Sequence, residues 1–401
     1  MLYACRNCGG NVVYDPRRKK LVCPYCDSEE SQERKMGEDM NVCPSCNGRL
    51  KLGTYTSATK CPYCGNYVIQ EQRMQGDYEP QLIIPFQIAK SDVWELIAKE
   101  VEDRKYVPAS FLDEKNLKMI EGSYVPFWTY DYDVHYEYEA IGRKIRTWTK
   151  GRSLFTETSE YRVVREMDME FELIPADASR AMPNDVMDLI EPYTYADLQD
   201  FDMKYISGFL SEYYNDNAMM FEPRAASRTK KDAKAIVENS VQGYTLVTPM
   251  KERPQLVRKQ IRYALFPVWI YRYRYGSKEY PLYVNGQTGK VVGEIPFDYG
   301  KAYKQGALWG LLFFVLSCLG LKAMGIPVWL SVLPLLVIGL GIMFVFALLA
   351  SMTKKGKKTV NATTYVDGGN SKLLRQEDSF IRTYVTEHNI KKYKNLLKTL
   401  T

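Results

Sequence analysis

Two uncharged apolar runs near the C-terminus, Gly306–Leu321 and Val328–Ala350, form the longest hydrophobic pattern in the chain. Between them lie only Lys322, Ala323, Met324, Gly325, Ile326 and Pro327. A helix rises about 1.5 Å per residue and a bilayer core is about 30 Å thick, so about 20 apolar residues span it. The pattern predicts a transmembrane helical hairpin over residues 302–350, the first run reaching across with Ala302 and Tyr303 or a snorkelling Lys322. The competing reading, a buried hairpin in a soluble core, is disfavoured because neither run has a charged face. Lys301 and Lys304 precede the hairpin, Lys354, Lys355, Lys357 and Lys358 follow it, and the turn carries only Lys322. By the positive-inside rule a multi-pass cell-membrane protein with both termini cytoplasmic is expected. Trp309 and Trp329 fall near the span ends, and Pro334 is expected to kink the second helix.

Upstream the period changes. Leu82–Phe86 reads as a short strand, and Ser91 as an N-cap to a helix with Asp92 in its first turn and Val93, Ile97 and Val101 on one stripe. From Trp128 the chain alternates strictly. Trp128, Tyr130, Tyr132, Val134, Tyr136 and Tyr138 share one face, and Asp131, Asp133, His135, Glu137 and Glu139 the other. That is a half-buried strand with an acidic outer face. Leu265-Phe-Pro-Val-Trp269 repeats the Pro-x-Trp opening 141 residues after Trp128, again behind a helical segment at 231–241. Two copies of a helix-then-strand unit are expected, with Asp131, Asp133, Glu137 and Glu139 near Arg272 and Arg274. Val163–Leu173 is a further alternating strand, Val284–Val291 a hairpin, and Asp185–Ile190 and Tyr195–Tyr214 read as helical. After the hairpin, 353–371 reads as a linker, and the helical spacing of Phe380, Ile381, Tyr384, Val385 and His388 fits equally an amphipathic helix on the inner leaflet or a segment docked onto the head.

Of the nine cysteines, eight lie in the first 64 residues. Cys5, Cys8, Cys23 and Cys26 form two Cys-x2-Cys pairs, and Cys43, Cys46, Cys61 and Cys64 repeat them at a constant offset of 38. Two such pairs close a tetrahedral ion from both sides, so tandem zinc ribbons with two structural four-cysteine Zn2+ sites are expected. Disulfides are disfavoured in a reducing compartment, and four thiolates leave no open position for catalysis. Gly9, Gly10, Gly48 and Gly65 suit turns of positive φ. Val12–Tyr14 and Lys20–Val22 read as a hairpin, Leu50–Tyr55 as the start of its counterpart, and Asp27–Asp39 as a polar linker. Arg17, Arg18, Lys19 and Lys20 make a basic tip, which admits nucleic acid but more often marks a solvated hairpin end or a lipid or protein contact.

The 401 residues are 46% hydrophobic and 25% charged, as in folded protein with room for two or three domains. The net charge of +6 includes the lysines beside the hairpin, which suit anionic lipid as well as nucleic acid. The 31 tyrosines favour strands. No phosphate-binding glycine loop or dinucleotide fingerprint occurs, and neither His135, beside Asp133, nor His388 has a nucleophile to serve. The chain reads as a non-enzyme with no small-molecule substrate.

The ribbons with Cys61-Pro-Tyr-Cys64-Gly, then Ile84-Pro-Phe86, Gly122-Ser-Tyr-Val-Pro-Phe-Trp128, Phe266-Pro-Val-Trp269, Val284-Asn-Gly-Gln-Thr-Gly-Lys290 and the late hairpin resemble the bacterial YdjG-type zinc-ribbon membrane proteins. The resemblance implies a partner of phage-shock A-like and SPFH-like proteins in envelope stress, and no catalytic residues. The expected architecture is α+β: zinc ribbons at 1–36 and 37–75, a duplicated, mainly antiparallel cytoplasmic head at 80–300, the transmembrane hairpin at 302–350, and a basic linker and tail at 351–401. Its expected role is a membrane-anchored scaffold on the lipid bilayer. The alternative is a membrane-tethered nucleic-acid binder acting through the ribbons.

Overall fold

The computed structural model describes residues 1–37, 39–180, 182–323, 336–341, 343–345, 348 and 371–389. In chain order its elements begin with β1 (Leu2–Cys5), β2 (Val13–Asp15), β3 (Lys20–Val22), β4 (Gln32–Lys35), β5 (Thr56–Lys60), β6 (Tyr67–Ile69), β7 (Leu82–Ile83) and α1 (Lys90–Val101). There follow β8 (Ile120–Lys150), β9 (Ser153–Asp177), α2 (Asn184–Ile190), β10 (Gln199–Asp200), β11 (Leu210–Glu212) and α3 (Ala218–Asn239). The chain continues through β12 (Leu246–Tyr275), β13 (Lys278–Asn285), β14 (Val291–Gly293), α4 (Tyr299–Ala323) and β15 (Ser371–Asn389). This is a mixed α+β fold in two compact units. Unit 1 takes Met1–Val125, Ser179–Tyr213 and the chain from Leu265 through α4 and the helical residues 336–341; unit 2 takes Pro126–Ala178, Tyr214–Ala264 and β15.

In unit 1 the strand order reads β10-β7-β12-β8-β11-β5-β6, with β14 on β13 and β13 on β12. The core is aromatic. Phe86 stacks on Phe209 at 4.1 Å and meets Tyr124 and Trp269 edge-on, so that ring quadrupoles add to area burial. Gly122 is required there, since a Cβ would sit 2.6 Å from the Phe209 ring. Helix α1 buries Val93, Ile97 and Val101, the expected stripe. Its cap is Ala89 rather than Ser91, and the Asp92 carboxylate accepts the Ala89 backbone N–H at 3.3 Å.

Unit 2 is built on the long strands. β8 and β9 pair antiparallel around Gly151, whose φ of 63° makes the turn, and β15 pairs antiparallel with the other edge of β9. Tyr130, Tyr132, Val134, Tyr136 and Tyr138 are all buried, as the alternation requires. The Tyr130 hydroxyl donates to the Ala218 carbonyl of α3, whose buried stripe is Ala225, Thr229, Ala233 and Val237.

Several expectations change. Phe380–Val385 is strand, not helix. Ile381, Thr383, Val385 and Thr386 are β-branched, and the free edge of β9 supplies backbone partners that an isolated amphipathic helix lacks. Tyr195–Tyr214 holds only short turns with β10 and β11, Leu50–Tyr55 carries no strand ahead of β5, and Asp27–Asp39 includes β4 paired to β1. The acidic row finds its cations upstream of the Pro-x-Trp segment. Asp131 pairs with Arg262 at 2.8 Å, Asp133 with Lys259 at 2.5 Å, Glu137 with Lys251 at 3.0 Å and Glu139 with Arg162 at 2.7 Å, while Arg272 lies 3.8 Å from Glu121. Both helix-then-strand successions, α1 before β8 and α3 before β12, are present as elements.

Helix α4 is the one described helix long and apolar enough to cross a membrane. Leu308, Trp309, Leu311, Leu312 and Leu319 are exposed on it. Residues 336–341 are helical, and a Cβ on Gly310 would fall 2.6 Å from the Gly339 carbonyl oxygen, so two backbones meet there without side chains between them. Of the expected turn at 322–327, Lys322 and Ala323 are still helical at the end of α4, and the rest of it, with Trp329, Pro334, the linker at 353–370 and the basic residues Lys391–Lys398, lies outside the described residues.

Candidate metal centres

Each Cys-x2-Cys pair lies in one repeated backbone turn. In all four, the residue four after the first cysteine donates its N–H back to that cysteine's carbonyl: Gly9 to Cys5, Asp27 to Cys23, Asn47 to Cys43 and Gly65 to Cys61, at 2.8–2.9 Å. The first cysteine in turn donates to the carbonyl five residues on, at Gly10, Ser28, Gly48 and Asn66. The fifth position has positive φ each time: 73° at Gly9, 58° at Asp27, 53° at Asn47 and 76° at Gly65. Glycine, asparagine and aspartate are the residues that tolerate that region.

Gly10 and Gly48 serve another purpose. A Cβ on Gly10 would lie 2.5 Å from the Tyr25 ring, and one on Gly48 2.5 Å from the Tyr63 ring. Each tyrosine, in the middle of a Cys-Pro-Tyr-Cys turn, covers the opposing glycine and leaves about 70% of its surface exposed. Cross-links between turns repeat too: Asn7 donates to Ser28 at 2.7 Å, and Asn66 to Ser45 at 3.0 Å. The cysteine spacing discloses the duplication, but only the fold shows that these flanking residues belong to it.

Within each cluster the four sulfurs lie within 4.8 Å of one another. Cys5 and Cys26 are 3.6 Å apart, Cys8 and Cys23 3.4 Å, and both Cys43–Cys64 and Cys46–Cys61 3.7 Å. Zinc–sulfur bonds of about 2.3 Å in a tetrahedron put sulfurs about 3.8 Å apart, while a disulfide needs about 2.05 Å. The donor sets therefore fit two structural Zn2+ ions. The first cysteine of each pair (Cys5, Cys23, Cys43, Cys61) is buried and the second exposed, so each ion would lie at the rim of a small core. For the second cluster that core is Cys43, Leu50, Cys61 and Val68.

The thiols divide electrostatically. Hydrogen bonding from Ser28 pulls Cys26 down to about 6. Burial pushes Cys61 up, but hydrogen bonds from the Cys64 and Tyr63 backbone outweigh it and leave the thiol at about 7. Cys8 gains from the Gly10 backbone, yet its sulfur neighbours Cys23 and Cys26 raise it to about 12; burial and the adjacent sulfurs do the same to Cys64. One thiolate in each cluster forms readily and later ones are opposed by the charge already present. A dication removes that opposition, which is why metal binding and proton release are coupled.

The basic tip is largely neutralised within unit 1. Arg17 donates to the Asp92 carboxylate and, at 2.9 Å, to Ser91. Arg18 pairs with Asp27 at 2.8 Å and Lys20 with Glu29 at 3.3 Å. Among the described residues Lys19 alone of the four makes no ion pair. In unit 2, His135 meets Asp168 across the strand pair at 2.7 Å, not Asp133, which is taken by Lys259.

Among curated proteins, the uncharacterised protein YdjG of Bacillus subtilis (strain 168) is 34% identical over 310 residues, which is 75% of this chain and 91% of the relative. This chain belongs to the YdjG family. No family model matches it, and no solved structure is similar to it. For this YdjG-family chain, then, the two four-cysteine clusters and the apolar helix α4 are the features a functional reading must join.

Proposed function

We propose that this protein is a membrane-anchored scaffold. In this reading its tandem zinc ribbons and α+β head are held at the cytoplasmic face by a transmembrane hairpin and recruit envelope-stress proteins of the phage-shock A-like and SPFH-like kinds. The observation that carries the anchoring is the way α4 leaves unit 1. The helix is apolar and exposed along its length, yet its first turns are fastened to a folded core: Lys301 donates to the Val107 carbonyl at 2.7 Å, and the Tyr106 hydroxyl to Gln305 at 2.9 Å. A solvent-exposed apolar helix is costly in water and favourable in lipid. The Gly310–Gly339 approach supports a hairpin, because small residues let transmembrane helices pack closely. Anchoring raises the effective concentration of any partner with its own weak membrane affinity, so a modest interface suffices.

The alternative, tethered nucleic-acid binding through the ribbons, loses support from the pairing of Arg17, Arg18 and Lys20 with carboxylates. The test is fractionation of the full chain with alkaline washing of membranes, together with imaging of a tagged phage-shock A-like protein. The chain should stay with the membrane, and deleting its gene should disperse the partner. A partner that keeps its membrane foci in the deletion strain overturns recruitment.

A further inference from the structure

A cavity of about 330 Å³ lies in unit 1 where α4 begins. Its wall is formed by the loop after α1, with Asp103, Arg104, Lys105 and Tyr106, and by Ile295, Pro296 and Phe297 just before α4. Packing fixes the two sides to each other. The Tyr106 ring meets Phe297 at 5.4 Å, the Asp298 N–H donates to the Tyr106 carbonyl at 2.7 Å, and Phe297 packs with Ala302 of α4. The cavity is therefore tied to the first turns of the helix and keeps its place relative to them.

Its chemistry is two-sided. Ile295, Pro296, Tyr106 and Phe297 make an apolar wall, and Phe297 packs on Ala302 in the first turns of α4. At the rim, Arg104 is already engaged by Glu100 at 2.8 Å, and Asp103 and Asp298 supply negative charge. Lys105 lines the cavity, the Lys301 ammonium reaches the carbonyl of the lining residue Val107 at 2.7 Å, and neither lysine makes an ion pair among the described residues. Tyr299 and Tyr303 are exposed on the first turns, where amphipathic rings mark the depth of lipid headgroups. An apolar wall, a cationic rim and headgroup depth together match an amphipathic anion.

We infer that this cavity binds an anionic phospholipid of the inner leaflet, its phosphate at Lys105 and Lys301 and its glycerol and upper acyl chain against Tyr106, Ile295 and Phe297. The inference rests on the membrane reading of α4. Holding such a lipid would make the attachment of unit 1 sensitive to the charge of the leaflet.

The experiment uses the full chain in nonionic detergent, titrated with phosphatidylglycerol, phosphatidylcholine or inorganic phosphate and read by native mass spectrometry. Phosphatidylglycerol should be retained at least about fivefold better than phosphatidylcholine, the effect of one basic residue at a lipid surface. Lys105→Gln should lower phosphatidylglycerol retention about fivefold and leave phosphatidylcholine unchanged, while Lys118→Gln, on an exposed turn elsewhere in unit 1, should change neither. Ile295→Trp, which fills the cavity from a half-buried position, should lower retention of both lipids. Equal retention of the two lipids, or no loss in Lys105→Gln, overturns the site while leaving the membrane reading intact. Displacement of phosphatidylglycerol by inorganic phosphate assigns the cavity to a free anion and overturns the lipid. Failure of the chain to insert into vesicles of either lipid removes the membrane reading and this inference together.

Discussion

The guanidinium of Arg165 on β9, 1% exposed, donates to the Asp378 carboxylate on β15 at 2.6 Å. The Tyr244 hydroxyl donates to the other oxygen of Asp378 at 2.8 Å. Asp378 sits 213 residues beyond Arg165, so the pair closes a long excursion of the chain. Removing one member of a buried ion pair strands the other, at about 3–5 kcal/mol. Asp378→Ala should therefore destabilise unit 2 by about 3 kcal/mol, the lower end because Asp378 is 32% exposed. Urea unfolding measures the loss, and protease cleavage within β15 should rise with it. Replacing both residues with Met and Leu should recover most of the stability. Hydrogen bonding from Arg165 holds the Asp378 carboxyl below the usual range. The contribution is thus fully present above the ordinary carboxylate pKa and is lost as pH falls through the lowered one.

Asp131 belongs to the acidic row by sequence but not by role. It is 9% exposed, pairs with Arg262 at 2.8 Å, and accepts the Leu173 backbone N–H at 2.8 Å. The β8–β9 register slips between Tyr130 and Tyr132, and Leu173 takes a φ of 55°, costly for a branched side chain. Asp131→Ala removes both the ion-pair partner and the acceptor that holds this bulge. A loss of about 2–4 kcal/mol is expected, against a much smaller one for Glu137→Ala on the solvent-facing row, measured by thermal unfolding of the two variants.

Zinc should be essential to the N-terminal segment and sensitive to acid. Structural sites of this kind contribute about 10 kcal/mol or more of apparent binding energy, more than the small core of Cys43, Leu50, Cys61 and Val68 could replace. Full chain purified without chelator should carry two zinc ions. Protons compete for the thiolates, so affinity rises with pH. The readiest thiols lie at about 6 for Cys26 and about 7 for Cys61, and zinc should leave as pH falls below that window. Metal content near one ion per chain at neutral pH, or retention unchanged at pH 4, would contradict the assignment.

Local periodicity carried much of this fold. The stripe of α1, the tyrosine face of β8 and the cysteine turns all follow from spacings of 3.6, 2 and 3 residues, which nearest neighbours enforce. What it could not carry was pairing at a distance. Phe380, Ile381, Tyr384 and Val385 satisfy a helical stripe and a strand equally well, and only the free edge of β9 decides between them. The cations facing Asp131, Asp133 and Glu137 are Arg262, Lys259 and Lys251 rather than Arg272 and Arg274, because register depends on where β12 starts, and nothing local marks that. At the metal centres the eight ligands were legible as spacing, whereas the Gly10–Tyr25 and Gly48–Tyr63 contacts needed the two turns of each site to be brought together.

The four glycines around the apolar helix offer a test in which the sign of the effect discriminates. Among the described residues nothing lies within 4 Å of a Cβ on Gly320 or Gly341, whereas Gly310 would meet the Gly339 carbonyl oxygen at 2.6 Å and Gly306 the Met343 carbonyl oxygen at 3.0 Å. In a helix, glycine costs about 0.5–1 kcal/mol relative to alanine through backbone entropy. Gly320→Ala and Gly341→Ala should therefore leave the protein as stable or slightly more so. At Gly310 the same methyl group strikes backbone, which cannot rotate away as a side chain would. The helices must separate, at about 1–3 kcal/mol for overpacking and more for Gly310→Leu. Thermal unfolding in detergent measures both arms: melting temperature should fall for Gly310→Ala, hold or rise for Gly320→Ala, and fall further for Gly310→Leu. If Gly310→Ala raises stability as Gly320→Ala does, helix propensity alone is acting and the close contact with Gly339 is absent in the protein. Opposite signs require a packed pair of helices, which is what a hairpin anchor demands.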